Sequence, residues 1–350
     1  MHIDAWWFNN TQNESDILQP DWVTPKTHIG LYAECEPITL PVHISITAAS
    51  YGDTLYENQF TFTETSQSNE NYEITIGLRN NIIIGKFLTD TLPALPTNIT
   101  VSIQYAGKTY SKNITCEYAT LSGVITDFSG NPFPAPLMLY RISFDGKIPC
   151  MAVWSDKNGA YSVVVPKGVY NAFYVDDNSY GKTSLESWGW HMIVDKDEKH
   201  NFKIGNGEVY SLNAWANNGG SSTLFIFFRP MILPSIKSDE YTVEINDIAF
   251  EIQDISPELA LNNVTTTLNG FTLKNISLQK IYETGANGHG MPAYILQTTR
   301  LPEDKEYSVL GKQTLIVEYN AKTTNYTAQS QGRTQFFYTD VTAVSIKQGG

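Results

Sequence analysis

The stretch Gly123-Val124-Ile125-Thr126-Asp127-Phe128-Ser129-Gly130-Asn131-Pro132 is followed by Ser155-Asp156-Lys157-Asn158-Gly159-Ala160-Tyr161-Ser162-Val163 and by Val165-Pro166-Lys167-Gly168-Val169-Tyr170. Its alternating Val, Ile, Tyr and Ser positions suit a pleated strand with one buried face. Asp127 and Gly130 flank a tight turn, and Asp156 to Gly159 form a hairpin whose glycine can take positive φ. Gly168 lets the chain reverse before Tyr170, and Tyr161 and Tyr170 are expected to plug the core. Strand, turn and strand recur here without a helical period, so the segment reads as β-strands joined by tight turns.

The same spacing holds on either side. From Thr27 to Ala119, strand-sized runs such as Val42 to Ala48, Ile82 to Phe87 and Ile99 to Tyr105 are interrupted every eight to twelve residues by Asp, Asn, Pro or Gly, the interval of a seven-stranded Ig-like sandwich. Beyond Gly205-Asn206-Gly207 the runs resume, from Val209 to Trp215 through Thr334 to Tyr338. The chain therefore reads as all-β, in tandem sandwiches: an N-terminal arm (1–26), an Ig-like domain (27–119), a middle domain (120–205) and a second Ig-like domain (206–350). Pro230 to Pro234 is an alternative second boundary. The three spaced motifs of the middle segment resemble the carboxypeptidase-regulatory-like family, whose fold is a transthyretin-like β-sandwich. That resemblance covers about a quarter of the chain and implies an accessory module of proteases, surface proteins and transporters, with no catalytic residue to carry over. Lys182 to His191, with its Trp188-Gly189-Trp190 run, is an aromatic insertion that the family pattern does not demand.

Composition agrees. The 350 residues include 35 Thr, 27 Asn and 20 Tyr, with only 17% charged residues, a mixture that favours strands and Asn/Gly turns over helices. A net charge of −13 without basic clusters opposes phosphate backbones and anionic lipid, so neither nucleic acid nor membrane insertion is expected. No apolar run reaches the length of a membrane-spanning helix, and residues 1–7 lack the basic and apolar regions of a secretory signal. Seven Asn-X-Ser/Thr sequons, at Asn9, Asn13, Asn98, Asn113, Asn263, Asn275 and Asn325, make a secreted glycoprotein one expectation, although an Asn- and Thr-rich chain carries several by chance. Cys35, Cys116 and Cys150 are too few for a disulfide scaffold and lack zinc spacing. A Cys35–Cys116 bond would pin two sheets of the first sandwich, and three unpaired thiols are the alternative.

Candidate chemistry is sparse. The six histidines are scattered and belong to no hydrolase signature, which argues against an enzyme. Gly285 to Gly290 resembles a phosphate cradle only in its glycines and reads as a hairpin loop. Asp176 and Asp177 with Asn178, and Asp195 and Asp197, gather oxygens in two loops that either converge on a calcium ion or are solvated turns. Tyr180, Trp188, Trp190 and Trp215 form an aromatic concentration: on a strand the two indoles of Trp-Gly-Trp point the same way, which suits packing between domains, with stacking on a sugar as the alternative. The arm carries Trp6, Trp7 and Phe8 ahead of a polar stretch, Asn9 to Asp16. That order suits either strand donation to a neighbouring copy or folding back on its own domain. The composite expectation is a non-catalytic extracellular structural or adhesive surface protein that self-associates through the donated strand into a filament or surface layer. The alternatives are a carbohydrate-binding accessory module and a virion or tail-associated protein.

Overall fold

The computed structural model describes residues 1–10, 26–77, 81–92, 94–141, 151–177, 179–216, 223–245, 247–284, 289–300 and 311–338. Asn13 and most of the polar stretch after Trp6 to Phe8, together with Cys150, Asn178, Asn217 to Gly220 and Gly285 to Gly288, lie outside the described residues.

Among the described residues strands account for almost every element, and three large hydrophobic cores succeed one another. The first core lies between a five-stranded sheet (His2–Asn9, Thr27–Glu34, Ile82–Thr89, Tyr72–Gly77, Ser66–Asn69) and a four-stranded sheet (Asp53–Phe62, Val42–Ser50, Asn98–Tyr105, Lys108–Thr115). Alternation drives this arrangement: in Val42–Ser50, Val42, Ile44, Ile46 and Ala48 are buried while the residues between them face outward.

The arm corrects the expectation of a donated strand. His2–Asn9 pairs antiparallel with Thr27–Glu34 of its own chain, Trp6 opposite Gly30 and Trp7 opposite Ile29. Both of its faces are buried, because Ile3, Ala5 and Trp7 enter the first core while Trp6 and Phe8 enter the second. A period of two thus makes one strand serve two adjoining cores. Residue 30 must be glycine, since a Cβ there would lie 2.0 Å from the Trp6 ring. Arg141 covers that ring from 5.3 Å and reaches Asp4 at 3.4 Å, and the Asn10 side chain accepts a hydrogen bond from the Ala152 amide at 3.0 Å.

In the second sandwich the turns form as the motifs require. Asp127 accepts hydrogen bonds from the Ser129 and Asn131 amides, each at 2.8 Å, and Asp156 does the same for Asn158 and Ala160, again at 2.8 Å. The Asn131 side chain, which donates to Asp127 at 2.8 Å, together with these amides holds the Asp127 carboxyl below the usual Asp range, and the Ala160 and Asn158 amides do the same for Asp156. Gly159 has φ of +73°. Tyr161 and Tyr170 are buried, and their hydroxyls donate to the His200 and Pro166 carbonyls at 2.6 Å each.

The third core lies between a six-stranded sheet that begins with Gly207–Ala216 and Thr223–Ile232 and the strands Val264–Leu268, Gly311–Lys322 and Thr327–Tyr338. Those last strands do not form a separate sheet. Ser187–Val194 of the second sandwich pairs in parallel with Thr327–Tyr338, so an eight-stranded sheet runs from Met151–Trp154 to Phe271–Thr272 across both sandwiches.

Candidate functional site

Two of the four aromatic candidates, Trp188 and Trp190, lie on this seam. In its parallel register Trp188 sits opposite Gly332, Gly189 opposite Arg333 and Trp190 opposite Thr334. Alternation sends the two indoles to one face and the Arg333 side chain, lying over Gly189, to the other. A Cβ at Gly189 would come within 3.0 Å of Arg333 Cγ, and one at Gly332 within 2.6 Å of Val209 Cβ, so both glycines permit the close approach of two sandwiches.

On the aromatic face, Trp188 and Trp190 stack at 4.6 Å and 13°. Tyr174 continues the stack at 4.9 Å from Trp188, and Tyr140 lies 5.4 Å beyond it. Tyr210 of the third sandwich closes on both indoles edge-on, at 5.4 and 4.9 Å. Ring faces turned toward one another are not open to a sugar, so this stack joins strands and domains. The other two aromatic candidates stand apart from it. Tyr180 is exposed in a turn bridged to Ser184, and Trp215, 42% exposed, stacks on Phe225 at 5.8 Å.

Beside the stack lie three carboxyls, two of which carried no signal in the sequence. Glu208 is buried, and its carboxyl is pushed well above the usual range by burial and by a hydrogen bond with Glu186. Asp176 is raised to about 7 by burial and by the Glu186 charge. Neither Glu186 nor Glu208 stands in a recognisable pattern along the chain, and only the docking of two sandwiches brings them together.

The opposite face carries a buried ionic network. His200 Nε2 donates to Glu198 at 2.8 Å, and Arg333 Nη1 approaches His200 Nδ1 at 3.4 Å, so the imidazole is neutral with its proton on Nε2. Burial, aided by the Arg333 charge, depresses the His200 pKa. Arg333 also donates to the Asn201 carbonyl and to Gln331 Oε1, and its guanidinium lies 4.2 Å from the Phe202 ring. Burial would raise Glu198, but hydrogen bonds from His200 and Lys312 outweigh it and bring the carboxyl to about 2. Lys312 bonds Asp195 as well as Glu198, and donates to the Ile193 carbonyl at 2.9 Å. The chemistry available to this set is cohesion: among the described residues His200 is held between Glu198 and Arg333, with Phe173 edge-on to its ring.

The four aspartates considered for calcium have separate occupations. Asp195 is paired with Lys312, Asp197 accepts from the Thr120 amide at 2.7 Å, Asp177 accepts from the Ser179 amide at 2.8 Å, and Asp176 belongs to the carboxyl cluster. Among the described residues no group of three or more His, Cys, Asp or Glu is arranged to hold a metal. Cys35 and Cys116 are free thiols rather than a bonded pair; the sheets they were expected to pin are held by the packed core between them.

No family model matches the chain, and no curated protein matches it. Among solved structures it is similar to domains D2 and D3 of the major pilin SpaD from Corynebacterium diphtheriae, at 7% identity and a TM-score of 0.19, over 58% of this chain and 98% of that one. It is also similar to the Bacillus anthracis TIE protein, at 10% identity and a TM-score of 0.19, over 95% of this chain and 72% of that one. The complex of Dpr2 Ig1-Ig2 with DIP-Theta Ig1-Ig3 is matched at 10% identity and a TM-score of 0.15, over 88% of this chain and 93% of that one. Likenesses at this level transfer no function. Among the described residues no helix is long and apolar enough to cross a membrane.

Proposed function

We propose that this protein is a non-catalytic structural or adhesive component of a cell surface, built as a stiff three-sandwich element with its middle unit of the carboxypeptidase-regulatory-like kind. The eight-stranded sheet shared by the second and third sandwiches carries the reading. Modules on a flexible string are joined by exposed linkers that few contacts cross. Here the joints are strands: Ser187–Val194 hydrogen-bonds to Thr327–Tyr338 across one boundary, and His2–Asn9 has a face in each core across the other. Bending at either joint would break sheet hydrogen bonds and expose indoles, which suits an element that must hold two surfaces apart or carry load. With the arm already paired inside its own chain, self-association falls to sheet edges such as Asp53–Phe62 and Lys108–Thr115, which end the four-stranded sheet.

Small-angle scattering and electron microscopy of the purified chain test the reading together. A single rigid outline in every class average is expected. Averages that show hinged beads would remove the basis for a stiff element, as would a substrate turned over by the repurified protein.

A further inference from the structure

The strand Thr223–Ile232 is apolar on both faces, yet only one face lies in the core. Leu224, Ile226 and Phe228 are buried in the third core, whereas Phe225 and Phe227 point to the other side and are half-exposed. An antiparallel sheet with one wet face ordinarily places polar residues there. Cross-strand pairing extends the surface in two rows: Trp215, Phe225 and Gln297 lie side by side and lead to Ser277, while Asn213, Phe227 and Ile295 lead to Gln279. The first row ends in a Ser277–Gln297 hydrogen bond of 3.2 Å. None of these positions is ionisable, and Arg229, two residues beyond Phe227, is paired with Glu283.

We propose that this face is a binding platform for a neutral saccharide. The inference rests on the adhesive part of the function proposed above and names its ligand class. Two observations select the occupant. The first is charge: the two rows carry no ionisable side chain and the Arg229–Glu283 pair beside them has no net charge, so on a chain of −13 they attract neither a basic nor an acidic partner, while their amides and hydroxyls match sugar hydroxyls and the exposed Trp215 indole matches the apolar side of a pyranose. The second is size. Four strands by two outward rows cover roughly 19 by 14 Å, on the order of 270 Å², about a third of the 800 Å² that each partner contributes to a standard protein interface. These two rows alone are smaller than a stable second copy needs and large enough for a short run of sugar rings. The Trp188–Trp190 pair cannot serve the same purpose, because Trp188 is held between Tyr174 and Trp190 and Tyr210 closes on both indoles, whereas Trp215 stacks on Phe225 and remains 42% exposed.

Affinity electrophoresis of the full chain through gels containing β-glucan, xylan, galactomannan or glycol chitin, with polygalacturonate as an anionic control, tests this proposal. Retardation in at least one neutral gel is expected, none in the anionic gel, and roughly tenfold weaker retention for Trp215→Ala. The melting temperature of that variant should be unchanged because the indole is largely outside the core. No retardation in any neutral gel, or equal retention of Trp215→Ala, would overturn the platform. Conversion of a dimer to a monomer by Trp215→Ala would assign the face to a second copy and overturn it equally. The scattering outline reports stiffness independently of all these results, so loss of the ligand and loss of the stiff element are separate outcomes.

Discussion

Replacing Trp7 or Trp6 by alanine should damage two different parts of the molecule although the residues are neighbours in sequence. Trp7 is 0% exposed in the first core and Trp6 is 6% exposed in the second. A buried indole removes on the order of 150–250 Å² from water, worth about 4–6 kcal/mol at 25 cal/mol per Å². Tryptophan-to-alanine changes in cores cost about 3–5 kcal/mol, a large share of the roughly 5–15 kcal/mol that stabilises a domain. Trp6→Ala also takes away the ring that Arg141 covers at 5.3 Å. Hydrogen exchange read by mass spectrometry distinguishes the two variants. Trp7→Ala should lower protection in Val42–Ser50 and Asn98–Tyr105, and Trp6→Ala in Tyr118–Asp127 and Gly168–Val175. Neither effect should depend on protein concentration, because the strand belongs to the chain whose cores it fills. Identical exchange maps for the two variants would refute the register, since a slip of one residue exchanges the faces. Protection that rises with concentration would instead mean that the strand comes from a neighbouring copy.

Gly159→Val should destabilise the second sandwich by several kcal/mol, well beyond the roughly 1 kcal/mol of a typical substitution, because φ there is +73° and a Cβ would meet the Ile125 carbonyl oxygen at 2.1 Å; a urea midpoint equal to that of the parent would contradict the turn. Stability should also fall on both sides of an acidic optimum. The His200 pKa is depressed in the fold, so its penalty is absent at high pH and sets in as pH falls through the unfolded value of about 6.5, at about 1.4 kcal/mol per unit of depression. Glu208 and Asp176 are raised, so their stabilisation is complete below the unfolded carboxyl range and is lost as pH climbs through the folded values, about 7 for Asp176. Urea midpoints across pH 4 to 9 should therefore flatten on the acid side in His200→Gln and on the neutral side in Glu208→Gln; unchanged profiles would detach these groups from the seam.

The all-β fold, the strand lengths and the turns at Asp127 and Asp156 were legible along the chain, because each depends on neighbours within a few residues: side-chain alternation, Asx hydrogen bonding and the φ that glycine alone takes freely. The pairing of Trp188 with Trp190 was legible for the same reason, since residues two apart on a strand share a face. Proximity in sequence misled at Trp215, which the chain places near Trp190 but the bulge between Tyr210 and Asn213 and the turn into a new sheet carry to a different surface. The arm left two outcomes open, because a strand with Trp on both faces satisfies a neighbour's groove as well as two cores of its own; only the opposition of Trp6 to Gly30 decides between them. Glu186, Glu208, Lys312 and Arg333 could not be read at all. A carboxyl or a guanidinium acquires a shifted pKa from what surrounds it, and here those surroundings are assembled from positions as much as 133 residues apart, as His200 and Arg333 are, by the pairing of one strand from each sandwich.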